Sequence, residues 1–193
     1  MKHYVEIEKD LLASEVTYDI LNKLLPQHVE FIQNKTLANV YIRVDFQHNQ
    51  LESITKLNDM LVNDFHFPSI IYYLIFIHDA DQPIHVDGSD IQTPRFASLN
   101  LTVQGFETTY MNFYQLNNVK QTPRVDDALY FDKEHVSLDK SFKVSKKWAL
   151  VNSSIPHNIT GIEQNNPKIT LCLRFKTNPK IYDLYHLLNS KTF

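Results

Sequence analysis

The stretch KITLCLRF, residues 168–175, alternates without a break: Lys168, Thr170, Cys172 and Arg174 share one side, and Ile169, Leu171, Leu173 and Phe175 share the other. Only an extended strand places every second residue on one face. One face of this strand therefore demands an apolar cover. Its other face carries two cations, which need partners wherever they leave water. Shorter strand candidates precede it from residue 69 onward: SIIYYLIFI, IHVDG, FASLNLTVQG, TTYMNFYQL, and segments near 127–131, 141–144 and 147–152. Their length and β-branched or aromatic content suit a pleated surface.

The cover comes from the first third of the chain. SEVTYDILNKLLP has apolar Val16, Ile20, Leu21 and Leu24 at helical spacing, with Ser14 as its expected N-cap and Pro26 past its end. LESITKLNDMLVND repeats the pattern through Leu51, Ile54, Leu57 and Leu61, and TLANVYIRVDFQ between them reads as a strand. IYDLYHLLNS closes the chain as a short helix. Helices followed by many short strands predict a mainly β fold, a barrel or sandwich with the N-terminal helices packed on one sheet. No repeat or linker divides the 193 residues, so a single domain spanning 1–193 is expected, with its core at about 66–176.

Charge and cysteine content narrow the function classes. The net charge of −3, with cations scattered along the chain, offers no basic face for phosphates and argues against a nucleic-acid partner. The longest apolar run, IIYYLIFI, is too short for a membrane helix. A single cysteine, Cys172, forms no intramolecular disulfide, and the charged N-terminus MKHYVEIEKDLL has no signal-peptide core. A cytoplasmic protein without membrane attachment is expected.

The chemistry concentrates in QPIHVDGSD. His85 and Asp87, two apart on a strand, present an imidazole and a carboxylate side by side. Seventy residues beyond Asp87, NSSIPHNIT offers His157. Two histidines and one carboxylate can occupy one face of an octahedral iron(II) and leave three positions open. Nine histidines are present, so an isolated HxD pair has little weight, and HVDG by itself also reads as a surface turn. The order of the segments adds the weight: strand, turn, HxDG, two alternating strands, then the distal histidine before a strong strand.

Read together, IHVDG, RFASLNLTVQGFETTYMNFY and WALVNSSIPHNITGIEQNNPKITLCLRF resemble the 2-oxoglutarate and iron(II)-dependent dioxygenase superfamily. The pattern is most like that of small bacterial and phage oxygenases related to prolyl and aspartyl hydroxylases, and it covers residues 70–176. The resemblance implies a double-stranded β-helix (a jelly roll, or cupin-like barrel). It implies Fe(II) on His85, Asp87 and His157, with 2-oxoglutarate and O2 as co-substrates. The superfamily carries a basic residue about ten positions past the distal histidine to bind the far carboxylate of 2-oxoglutarate. Lys168, eleven past His157, matches that spacing. Arg174 is its rival, because some members carry their arginine later on this strand; the two lie about 20 Å apart along the strand. Tyr110 and Asn100 lie on strands that often contribute hydrogen bonds to the co-substrate. Asp87 as a ligand implies hydroxylation with release of succinate and CO2, on a small molecule or on a peptide or protein side chain. Two alternatives stay open at this point: a cupin-type metal dioxygenase without 2-oxoglutarate, and a non-catalytic jelly-roll binding protein.

Overall fold

The computed structural model describes residues 3–28, 39–46, 51–87, 95–117, 122–123 and 128–190. Twelve strands are formed among them: β1 (Tyr4–Glu6), β2 (Asn39–Asp45), β3 (Ile70–His78), β4 (Ile84–Asp87), β5 (Ser98–Gln104), β6 (Tyr110–Leu116), β7 (Thr122–Pro123), β8 (Ala128–Phe131), β9 (Val136–Lys143), β10 (Trp148–Val151), β11 (His157–Thr160) and β12 (Lys168–Phe175). They build two antiparallel sheets, ordered β1-β10-β5-β12-β3-β2 and β7-β8-β4-β11-β6-β9. From β3 to β6, and again from β10 to β12, successive strands alternate between the sheets. The result is a mainly β jelly roll. β4 and β12 belong to opposite sheets and are joined across the interior by an Arg174–Asp87 ion pair.

The alternation of β12 decides what lies on each side of the first sheet. Ile169, Leu171, Leu173 and Phe175 enter one apolar core with Tyr73 and Ile75 of β3, Leu99 and Leu101 of β5, and Trp148 and Leu150 of β10. Two helices complete that core. α1 (Ala13–Asp19, continuing as a wider turn through Ile20–Leu24) contributes Val16, Ile20 and Leu24; α2 (Glu52–Asp59, continuing through Met60–Asp64) contributes Ile54, Leu57 and Leu61. The C-terminal α3 (Ile181–Asn189) adds Ile181, Leu184 and Leu188. All the helical stripes read from the sequence face this layer. Trp148 is a core residue whose indole N–H donates to the Leu11 carbonyl at 3.0 Å.

Several local expectations shift. Ser14 does not cap α1: Leu12 precedes the helix in a left-handed conformation (φ 56°), and Asp10 accepts the Ala13 N–H at 3.3 Å, so Ser14 lies inside the first turn. β9 begins at Val136, five residues before the expected segment at 141–144, because it pairs along most of β6. β1 and β11 were not marked by the pattern; three or four residues carry too little periodicity, and pairing with β10, β4 and β6 defines them. Residues 36–38 and 47 of the expected strand TLANVYIRVDFQ, residue 127, and Gly88 of HVDG lie outside the described residues. No helix among the described residues is long and apolar enough to cross a membrane.

A buried carboxylate ties α1 to α2. Asp19 accepts the backbone N–H of Ser53 at 3.2 Å and meets the Lys23 ammonium at 2.7 Å. Asp19→Ala leaves that N–H buried and unsatisfied, so a loss of about 1–3 kcal/mol is expected. Urea unfolding checks this; an unchanged midpoint would mean that water replaces the carboxylate.

Candidate metal centre

β4 is only four residues long, and its alternation separates two roles. Ile84 and Val86 are buried in a small apolar cluster on the outer face. His85 and Asp87 point into the roll with 13% and 18% of their side-chain surface exposed, and His85 Nε2 lies 3.7 Å from Asp87 Oδ1. The antiparallel register of β11 on β4 sets His157 directly opposite His85, with ring centroids 4.5 Å apart. One ligand atom from each of the three falls within 4.8 Å of the others. The three residues expected as ligands are therefore brought together, by strand alternation for the first pair and by sheet pairing for the third.

The second ring nitrogens fix the orientation. His157 Nδ1 lies 2.8 Å from the Ile155 carbonyl, and His85 Nδ1 lies 3.0 Å from the Pro83 carbonyl. A carbonyl only accepts, so each Nδ1 carries a hydrogen, and Nε2 is the nitrogen turned to the cluster. Burial pushes the His157 imidazole down to about 4, and neighbouring His85 acts the same way against the opposing pull of Asp87. At neutral pH the ring is in its neutral, ligating form. Burial opposes the Asp87 charge, but the Arg174 guanidinium above all, and then the two histidines, hold its carboxyl well below the usual carboxylate range.

Arg174 occupies a different position from its expected one as a co-substrate ligand. Its Nη2 donates to Asp87 Oδ2 at 2.7 Å, so the guanidinium engages one carboxylate oxygen and leaves Oδ1 toward the histidines. Nε and Nη1 of Arg174 are buried without a hydrogen-bond partner. Lys168 is 1% exposed and points to the same inner face. Its ammonium donates to the Thr170 hydroxyl, and no carboxylate pairs with it among the described residues. Gly105 (φ 71°) lets the end of β5 pass close to this lysine: a Cβ there would stand 2.8 Å from Lys168 Cα.

Asn100 pairs with Cys172 across β5 and β12 and shares that inner face, with a buried Oδ1 that has no partner. Tyr110 lies elsewhere. It pairs with Thr160, three residues from inward-facing His157 and therefore on the opposite side of the sheet, and it is 42% exposed. Tyr110 is not brought to the cluster, because the parity of β6 turns Met111 and Phe113 inward instead. Phe113, 5.9 Å from the His157 ring, and Tyr130, 5.8 Å from the His85 ring, form aromatic walls beside the histidines. Sequence reasoning missed His78, the register partner of Lys168 and 3% exposed. Its place at the end of an apolar strand gave no periodic signal. It also missed the Arg174–Asp87 pair, which strand parity alone could not reveal.

No protein-family model matches the chain, and no curated protein matches it. Among solved structures it is similar to a prolyl hydroxylase from Trichoplax adhaerens in complex with a hypoxia-inducible-factor oxygen degradation domain peptide, at 12% identity and a TM-score of 0.52 over 90% of this chain and 84% of that one. It is also similar to HygX from Streptomyces hygroscopicus with nickel and 2-oxoglutarate bound, at 11% identity and a TM-score of 0.49 over 92% and 83%. A Bacillus subtilis oxalate decarboxylase matches at 9% identity and a TM-score of 0.38; 76% of this chain spans 28% of that one. At such identities the likeness concerns the fold alone, and the prolyl hydroxylase match carries it.

Proposed function

We propose that the chain is a non-haem iron(II) oxygenase that uses 2-oxoglutarate and hydroxylates an amino-acid or protein side chain. The observation that carries this reading is the pairing of two features on one interior: a two-histidine, one-carboxylate cluster, and a fully buried lysine with no anion paired to it among the described residues. The donor set fits the metal. Two imidazole nitrogens and one carboxylate oxygen suit iron(II), and a ligand set confined to one side leaves the other positions open. Held there with 2-oxoglutarate and oxygen, iron would supply C–H hydroxylation with release of succinate and carbon dioxide.

The protein's own contributions follow from position. His85, Asp87 and His157 hold the metal; the Pro83 and Ile155 carbonyls orient the imidazoles; Arg174 keeps Asp87 ionised and turned. Lys168 binds the far carboxylate, and this partner compensates for a desolvation that would otherwise be unfavourable. Asn100 shares that face, where its amide Nδ2 can donate to a co-substrate oxygen. Met111, Phe113 and Ile159 line the interior beside His157 and exclude water.

The test is an anaerobic titration of the iron(II)-loaded protein with 2-oxoglutarate, watching for the weak visible charge-transfer band of a chelated keto acid. A band supports the reading. Iron binding without a band points to a cupin-type dioxygenase, and no iron binding points to a non-catalytic jelly roll. Lys168→Met is expected to weaken 2-oxoglutarate binding about ten- to a hundredfold, the worth of a charge-assisted hydrogen bond. Unchanged affinity in that variant would remove Lys168 from the co-substrate site.

A further inference from the structure

The surroundings of Lys168 have a consequence for how a ligand binds there. Thr170 Oγ1, which accepts from the ammonium, lies 3.3 Å from Thr102 Oγ1 on β5, so the nearest polar groups form a short chain of neutral hydroxyls. β3 supplies His78, which burial pushes well below its usual range and keeps neutral. β12 itself supplies Cys172, a thiol that burial pushes up and keeps protonated. On the opposite sheet the inward-facing titratable groups among the described residues include His85, His157, Asp87 and the phenol of Tyr130, and Asp87 is engaged by Arg174. In the turn after β3, the Gln82 amide nitrogen sits 3.0 Å from His78 Nε2, and Asp81 accepts from the Ile162 N–H. No group in this set offers Lys168 a free negative charge.

An ammonium removed from water without a counter-ion is unfavourable, and a lysine so placed gives up its proton readily. A bound dianion reverses that balance. We propose that binding of a dicarboxylate at Lys168 is coupled to uptake of one proton by that side chain, so that affinity falls as pH rises above neutrality. The inference rests on the co-substrate reading above. The proton comes from the solvent buffer and resides on Nζ in the complex. The extent of burial supports the pH range, since it brings the free lysine down to about 7.

The experiment is calorimetric titration of manganese(II)-loaded protein with 2-oxoglutarate in HEPES and in Tris, whose ionisation heats differ. With a free-protein value near 7, the wild type should take up about 0.9 proton per site at pH 8 and about 0.1 at pH 6. Its affinity should fall about tenfold per pH unit above pH 8. Lys168→Arg, which stays charged throughout, should bind with no uptake at either pH. Binding by the wild type without uptake at pH 8 overturns the inference and leaves the co-substrate reading standing.

A second measurement needs no ligand. A lysine value lowered in the folded state means that the unfolded chain binds more protons between about pH 7 and 10, so stability rises with pH in that window. The unfolding constant of the wild type, relative to Lys168→Met, should fall about tenfold per pH unit there. Parallel pH curves for the two proteins overturn the inference. A divergence of those curves with no 2-oxoglutarate binding at any pH sinks the co-substrate reading and the coupling with it, and leaves only a titrating lysine.

Discussion

Alanine at position 157 is expected to abolish iron(II) binding while leaving the fold in place. On the proposed reading His157 is one of three protein ligands, and perturbing even a residue that merely orients a ligand commonly costs about ten- to a hundredfold in metal affinity. Removing the ligand itself should exceed that. The fold should persist because the largest apolar core is built on the first sheet and the helices, whereas His157 belongs to the second sheet. His85→Ala should behave alike, since the two rings share one register position on paired strands. Anaerobic iron(II) titration followed by circular dichroism reads both quantities. Wild-type affinity in either variant would remove that histidine from the centre.

The second large effect concerns stability in the metal-free protein. Arg174→Leu leaves the Asp87 carboxylate facing two histidines inside the roll with its main counter-charge gone. Breaking a buried ion pair by deleting one partner costs about 3–5 kcal/mol, mostly through the stranded charge. Asp87 keeps 18% of its side chain exposed, so the lower end, about 3 kcal/mol, is expected. Urea unfolding gives the value, and the double variant Arg174→Leu, Asp87→Asn gives its origin. If the stranded charge is the cause, removing it as well should recover much of the loss. Equal destabilisation of the single and double variants would assign the effect to lost packing of the arginine stem instead.

These two residues also mark where reasoning from the chain alone stops. His85 and Asp87 are legible together because strand alternation is local: the backbone of a short extended segment fixes their common face wherever the segment ends up. Lys168 and Arg174 are legible as inward-facing for the same reason, since Ile169, Leu171, Leu173 and Phe175 claim the helical layer. The two helical stripes are likewise local, and both were found in place. Tyr110 shows the cost of reading a strand without its parity. Its neighbours Met111 and Phe113 face the histidines, so Tyr110 faces away.

What the sequence by itself determined is therefore the set of faces: which sides of the strands are apolar, which stripes of the helices seek them, and which polar side chains are committed to an interior. Periods of 2 and 3.6 residues are properties of the backbone and survive any tertiary arrangement. What only the tertiary structure decided is who meets whom. His157 joins His85 because β11 pairs with β4 across seventy-two residues of chain. Arg174 takes Oδ2 of Asp87 because two sheets stack, and Lys168 is left as a buried cation with no anion among the described residues. Such pairings arise from sheet order and register, which depend on the packing of the whole chain and leave no periodic trace in any one segment.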